Sequence, residues 1–379
     1  MRLYYKNTIL TLSAAVATLG LPAAHAAPDI AFSGFFSVVG GRVLSGSLHG
    51  PMPDNPDVMC PCYVADYTNF GVYNSTFSLA AESRIGLQAH ATLTDKLSLT
   101  AQVTARPTHA NAQLQWAYAT YILSPTWDLQ VGRKRIPQYF YSDFQDLGVV
   151  YPWVGLPPEL YGWDATNYNG VSLRNRTSFG DVYVNSSVFA GSEQVKDSRY
   201  LQSYGQLHTD VRWDNILGAD VELTRGAWTL RAVAMQADTA FTDKDDPGNN
   251  ASEHMQAYGL AANYEHNSNW FVLSEIATHI RRNKTGPLAG ITITVPAASI
   301  GVGYRSGKWT TFANYSQYQE LSSDTSVLPN YDYRHSSLTL KYELSPRSII
   351  KTQFDHYWEP GPVYSGEAKV WRISYDRTF

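Results

Sequence analysis

Thr94-Asp95-Lys96-Leu97-Ser98-Leu99-Thr100-Ala101-Gln102-Val103-Thr104 decides how this chain is read. The first three residues read as a turn. The next eight alternate, with Leu97, Leu99, Ala101 and Val103 on one side and Ser98, Thr100, Gln102 and Thr104 on the other. Side chains of a strand point to opposite faces at period two, so this stretch predicts a strand with one apolar and one polar face. The pattern recurs to the C-terminus. Leu338, Leu340, Tyr342 and Leu344 alternate with Ser337, Thr339, Lys341 and Glu343, and Trp371, Ile373 and Tyr375 alternate with Arg372, Ser374 and Asp376. A soluble sandwich would alternate as well, so the connections must choose.

Short turns punctuate the chain at 94–96, 124–126, 178–180, 225–227, 267–269, 306–308 and 345–347. Between them lie mostly longer connections, at 46–71, 107–112, 136–167, 192–215, 240–253, 283–296, 320–333 and 359–367. Fifteen connections separate about sixteen strands. Short turns at one end and long loops at the other are the pattern of a transmembrane antiparallel up-and-down β-barrel, an all-β fold. In lipid an unpaired strand edge costs several kcal/mol per group, so a spanning sheet closes on itself. Trp127, Trp228, Trp270 and Trp309 each follow a short turn directly, a register that predicts an aromatic girdle at one membrane surface.

Composition sets the outer bounds. The chain has 379 residues, 16% charged and 13% aromatic. That aromatic content opposes disorder. No apolar run beyond the first 26 residues is long enough for a membrane-spanning helix. The net charge of −4 opposes a nucleic-acid binder. Residues 1–26 form a secretory signal: Arg2 and Lys6 precede the apolar Ile9–Leu21, and Ala24-His25-Ala26 supplies the cleavage site. Residues 27–379 then form a single barrel domain.

In architecture the mature chain resembles the trimeric, sixteen-stranded general porins of Gram-negative outer membranes. The carrying features are the strand count, the long third connection and a last strand ending at Phe379, with Tyr375, Ile373 and Trp371 before it. Arg377 departs from the usual apolar position. The resemblance implies that Phe379 signals to the barrel-assembly machinery. It also implies a homotrimer among outer-membrane lipid and lipopolysaccharide, and a third connection that folds into the lumen. Here that connection is both aromatic and acidic, carrying Tyr139, Tyr141, Asp143, Asp146, Glu159 and Asp164. An outer lid or a subunit-contact loop are the other uses of such a segment.

Strand parity sends near-equal numbers of basic and acidic side chains inward, which opposes a dedicated anion channel. The expectation is a transverse field. Asp143, Asp146, Glu159 and Asp164 would oppose the wall residues Arg42, Arg84, Arg106 and Lys134, with Arg174 and Arg176 also inward. Leu79, Ala81, Ile85 and Leu87 are read as outward, with Glu82 inward. Strict alternation cannot place Arg133-Lys134-Arg135 all inside.

Cys60-Pro61-Cys62 reads as a disulfide in an exported protein, with free thiols or a metal site beside His49, Asp54 and Asp57 as alternatives. Asp243 to Asn250 imitates a calcium loop, but His254 stands where the closing Glu belongs, so it reads as a solvated surface loop. Neither a metal nor any other cofactor is expected. No nucleophile elbow or phosphate loop occurs. The function expected is passive diffusion of small hydrophilic solutes and ions. A substrate-selective channel and an outer-membrane barrel enzyme are the alternatives.

Overall fold

The computed structural model describes residues 29–52, 55–360 and 365–379; the signal segment lies outside them. Sixteen strands run in chain order, each antiparallel to its sequence neighbours, and the last pairs with the first. They are β1 (Asp29–Gly46), β2 (Arg84–Thr92), β3 (Leu97–Ala105), β4 (Gln113–Ile122), β5 (Trp127–Arg135), β6 (Asn167–Phe179), β7 (Val182–Val195) and β8 (Thr209–Arg225). They continue with β9 (Trp228–Asp243), β10 (Ala251–Glu265), β11 (Trp270–Thr285), β12 (Thr292–Ser306), β13 (Trp309–Ser322), β14 (Tyr331–Ser345), β15 (Ser348–Pro360) and β16 (Ser365–Thr378). All seven short turns fall between strands as the sequence predicts.

Closure follows from the faces. Leu87, Leu99, Val131, Val188, Leu217, Leu260, Ile276, Ile300 and Leu338 stand exposed on the outside, the surface that a bilayer would cover. Their neighbours along each strand, such as Gln102, Thr104, Gln130 and Ser172, are buried inside. At the short-turn rim Trp228, Trp270 and Trp309 pack on Tyr264, Tyr304 and Tyr342 of the adjacent strand, with ring centroids 4.4–4.7 Å apart. The girdle is thus a row of cross-strand aromatic pairs. Phe379 seals the seam, exchanging two 2.9 Å backbone hydrogen bonds with Gly34.

The first long connection runs further than its expected end at residue 71, because β2 begins only at Arg84. β2 to β5 are short, which leaves the upper edge of β1 without a strand partner. Residues 74–83 cover that edge: Gly41 and Ser78 exchange 3.0 Å backbone bonds, and Val43 N donates to Asn74 O at 2.7 Å. Leu79 and Ala81 therefore belong to no barrel strand. Ala81 is buried rather than outward, packed with Tyr73 and Val43. Earlier in this connection Cys60 and Cys62 are joined as a disulfide. Among the described residues no cluster suited to a metal occurs. In the 243–250 loop the Asp243 carboxylate accepts from the backbone N of Asp245 and Asp246, so it shapes the turn.

Candidate functional site

The third long connection, residues 136–166, leaves β5 and turns into the lumen. Its inner wall is built to receive it. Gly259, Ala277 and Ala297 on β10, β11 and β12 carry almost no side chain, and Tyr139 and Leu160 of the loop fill the space they leave. One wall carboxylate ties both arms of the loop. Glu275 accepts from Phe140 N and from Tyr161 Oη, each at 2.7 Å. Arg231 on β9 donates to Pro137 O at 3.1 Å and to Phe140 O at 3.4 Å.

The loop then crosses to the far wall. Asp146 forms ion pairs with Arg106 and Arg135, and Arg84 Nε donates to Asp146 O at 2.8 Å. Arg84 Nη2 also reaches Tyr151 Oη at 2.6 Å. Lys351 on β15 donates to Gly148 O at 2.8 Å and to Trp153 O, and Val154 N donates to Gln353 Oε1 at 2.8 Å. Farther along, Glu159 accepts from Ser316 Oγ at 2.9 Å and lies 3.2 Å from His335 Nδ1. His335 leads on to Asp355 at 2.9 Å, and Arg372 joins Asp355 to Glu82 with 2.9 Å contacts. Asp164 accepts from Trp213 Nε1 at 3.2 Å.

These partners set the loop's electrostatics. Burial alone would raise the Asp146 carboxyl, but the Arg135, Arg106 and Arg84 charges outweigh it and hold the group below the usual carboxylate range. Burial pushes the Asp164 carboxyl up to about 6, against the hydrogen bond from Trp213.

Most of the expected transverse field is therefore absent. Asp146 and Glu159 are buried against the wall, Asp164 is half-buried and bonded to Trp213, and Arg84 and Arg106 are fastened to Asp146. Burying a charge is costly unless it is paired and hydrogen-bonded, as Asp146, Arg106 and Arg135 are here. Arg42 is a plain correction: it sits on the outer face of β1, exposed, between the inward residues Gly41 and Val43. Tyr139 is buried, and Tyr141 packs edge-on against Trp153 at 5.8 Å and Tyr151 at 6.0 Å.

Asp143 alone of the four acidic residues stays exposed. It lies within electrostatic reach of Lys134 on β5 and of Asp220 and Glu222 on β8. Near the short-turn end Arg174 and Arg176 both meet Asp128 Oδ2 at 3.0 Å. Asp128 on β5 thus holds both arginines of β6, and Asp220 on β8 is paired with Arg231 of β9 at 3.5 Å. The three-residue basic run resolves by separate partners: Arg133 pairs with Glu193, Lys134 bonds Gln130, and Arg135 pairs with Asp146. Gly132 just before them has φ 135°, a backbone conformation that favours glycine. Toward the long-loop end a polar cavity of about 480 Å³ opens, lined by Asn69, His109, Gln115, Arg133, Asn167 and Glu193 among others. Sequence reasoning missed His335, whose only signal is its inward parity with Ser337 and Thr339. It also missed that Arg135 and Tyr151 hold the loop.

No protein-family model and no curated protein matches the sequence. Solved structures do match. The outer-membrane channel DcaP of Acinetobacter baumannii superposes with a TM-score of 0.60 at 11% identity, over 93% of this chain and 97% of that one. The anion-selective porin of Comamonas acidovorans gives 0.58 at 12%, over 93% and 100%. Outer-membrane expressed OmpT of Vibrio cholerae gives 0.58 at 13%, over 95% and 99%. At such identity the likeness is one of architecture, and that architecture is the sixteen-stranded outer-membrane porin fold.

Proposed function

We propose that this chain forms a water-filled outer-membrane channel for passive diffusion of small hydrophilic solutes and ions. One observation carries the reading. A closed barrel with an apolar exterior holds a loop across its lumen, and on that loop Asp143 stays exposed within electrostatic reach of Lys134 on β5 and Glu222 on β8. A polar solute in that gap aligns its dipole, whereas an apolar solute must displace ordered water; size and polarity are filtered without chemistry. The reading makes the protein a channel rather than an enzyme. Export through the 1–26 signal, assembly through Phe379 by the barrel-assembly machinery, and a homotrimer in lipid and lipopolysaccharide belong to it. The Vibrio cholerae OmpT is described in a trimer form, which supports the last.

The test is a planar-bilayer recording of the purified mature protein. Stepwise, ohmic conductance is expected, with Asp143→Asn shifting the reversal potential toward anions at 0.1 M salt and less at 1 M, where the Debye length falls from ~10 Å to ~3 Å. Absence of conductance from assembled protein would overturn the reading.

A further inference from the structure

The outer half of the lumen is lined unlike the inner half. Toward the short turns the inward residues of β8, β9 and β10 include Asp220, Arg231 and Asn263, while Leu217, Leu230 and Leu260 stand exposed outside. Toward the long loops the sense reverses. Val211, Trp213, Ala237 and Met255 are at most 1% exposed inside the barrel, and outward places go to Asp238, His254 and Arg282. An outward charge is costly in lipid, so this part of the wall belongs above the bilayer. Trp163 of the third connection and Leu201 of the connection between β7 and β8 complete the apolar core within it. Side chains packed in this way leave no path for water.

The first connection fills the opposite side. Tyr63, Ala65 and Tyr73 are buried with Val43, Ala368 and Val370 on the inner face of β1 and β16. Tyr63 reaches further, its ring 5.9 Å from His335 on β14 and 5.8 Å from Tyr357 on β15. The same segment is tied across the mouth. Thr68 Oγ1 donates to Trp163 O at 2.8 Å and accepts from Trp163 N at 3.0 Å, and Tyr67 stacks on Tyr204 at 6.3 Å. The first connection and the apolar core therefore meet at Trp163. Beside them lies the polar cavity of about 480 Å³, whose rim runs from Asn69 past His109 and Asn111 to Lys196 and Arg199. We propose that the first connection and the apolar core together stopper most of the outer mouth, and that hydrated solutes enter through this cavity, on the β4–β7 side. The inference rests on the channel reading and gives it a route. A hydrated solute exchanges water for the polar groups of the cavity wall, Arg133, Asn167 and Glu193, whereas the packed core offers it no such exchange.

Labelling of an introduced thiol tests it, on the full mature chain in a planar bilayer. Cys60 and Cys62 are bonded to each other, so an added cysteine supplies the free thiol. Asn111→Cys places it on the rim of the cavity, and Thr325→Cys places it in the exposed connection between β13 and β14, over the stoppered side. A methanethiosulfonate carrying a trimethylammonium group should at least halve the conductance of Asn111→Cys and leave that of Thr325→Cys nearly unchanged. Equal loss at both positions, or unchanged conductance of Asn111→Cys with the label confirmed by mass, overturns the route. The unsubstituted protein supplies a second measurement, which stands if a variant fails to assemble. Amide hydrogen exchange should be as slow at 63–66 and 71–73 as in β14. Exchange there as fast as in an open loop would make the first connection a loose flap and overturn the stopper. Absence of any conductance would instead strike the channel reading itself.

Discussion

Replacing Asp146 by Asn should release the constriction loop from the wall. One carboxylate serves two guanidinium groups here, and the side chains of Arg106, Arg135 and Asp146 are only 7%, 4% and 5% exposed. The substitution keeps the shape and removes the charge. Arg106 then retains only Asp66, at 3.7 Å, and the Arg135 guanidinium is left with neutral partners, Thr166 Oγ1 at 2.9 Å among them. Breaking a buried pair from one side costs about 3–5 kcal/mol. At 1.4 kcal/mol per factor of ten, the ratio of seated to released loop falls by about three powers of ten. The hydrogen bond from Arg84 Nε to Asp146 O is to the backbone and survives, so the release is local. Recordings of Asp146→Asn should show a larger conductance with frequent switching, and limited proteolysis should cut between 137 and 164. The native loop should not release on mild acidification. Asp146 is held below its ordinary range, so its contribution is present above about pH 3.8 and is lost only as pH falls through the lower folded value. Native conductance, switching and cleavage in the variant would refute the lock.

The return arm of the loop should respond to pH in the opposite sense. Asp164 sits near 6 in the fold, so its contribution is full below about pH 3.8 and fades as pH rises through 6. Fluorescence-monitored unfolding should show a tighter arm at pH 5 than at pH 8, and Asp164→Asn should flatten that difference. Gly148 has no room for a side chain, since a Cβ there would run into Asp376 Oδ1. Gly148→Val should lift the loop from β16 and raise conductance with the barrel's β-rich circular dichroism unchanged. Deleting Phe379 removes both backbone bonds to Gly34 and should lower the yield of heat-modifiable barrel in the outer membrane, read on unheated gels.

The barrel was legible because each hairpin is a local event. Ser306-Gly307-Lys308 and the Trp309 that follows can be read without knowing any distant residue. Parity also told inside from outside at Arg84 and Arg174, but it could not tell depth. Arg84 is sealed beneath Tyr151 and Asp146, whereas Arg174 stays wet, and the difference comes from two loop residues more than 60 positions from Arg84 in sequence. Arg42 was misread because Val38-Val39-Gly40-Gly41-Arg42-Val43-Leu44 is apolar on both faces. Val39 and Val43 face inward but meet no water, being 0% and 1% exposed under the first loop, so the alternation that marks a wet lumen vanishes there. The anchors Lys351 and His335 were invisible for the same reason: their partners, Gly148 and Glu159, come from the other half of the chain.

Those long-range anchors impose an order of events on biogenesis. Gly148 touches β1, β15 and β16 through Ser37, Lys351 and Asp376, and Gly155 abuts Glu82 and Arg372. The loop emerges between β5 and β6, so much of its resting place does not exist until the last strands are made and the seam at Gly34 and Phe379 has closed. Asp146 can meet Arg84, Arg106 and Arg135 early, because all four lie in the first half of the sequence. Glu159 must wait for His335, and Gly148 for Lys351. A nascent barrel is therefore a wider, leakier object than the finished one, and closing the wall and narrowing the hole are coupled in time.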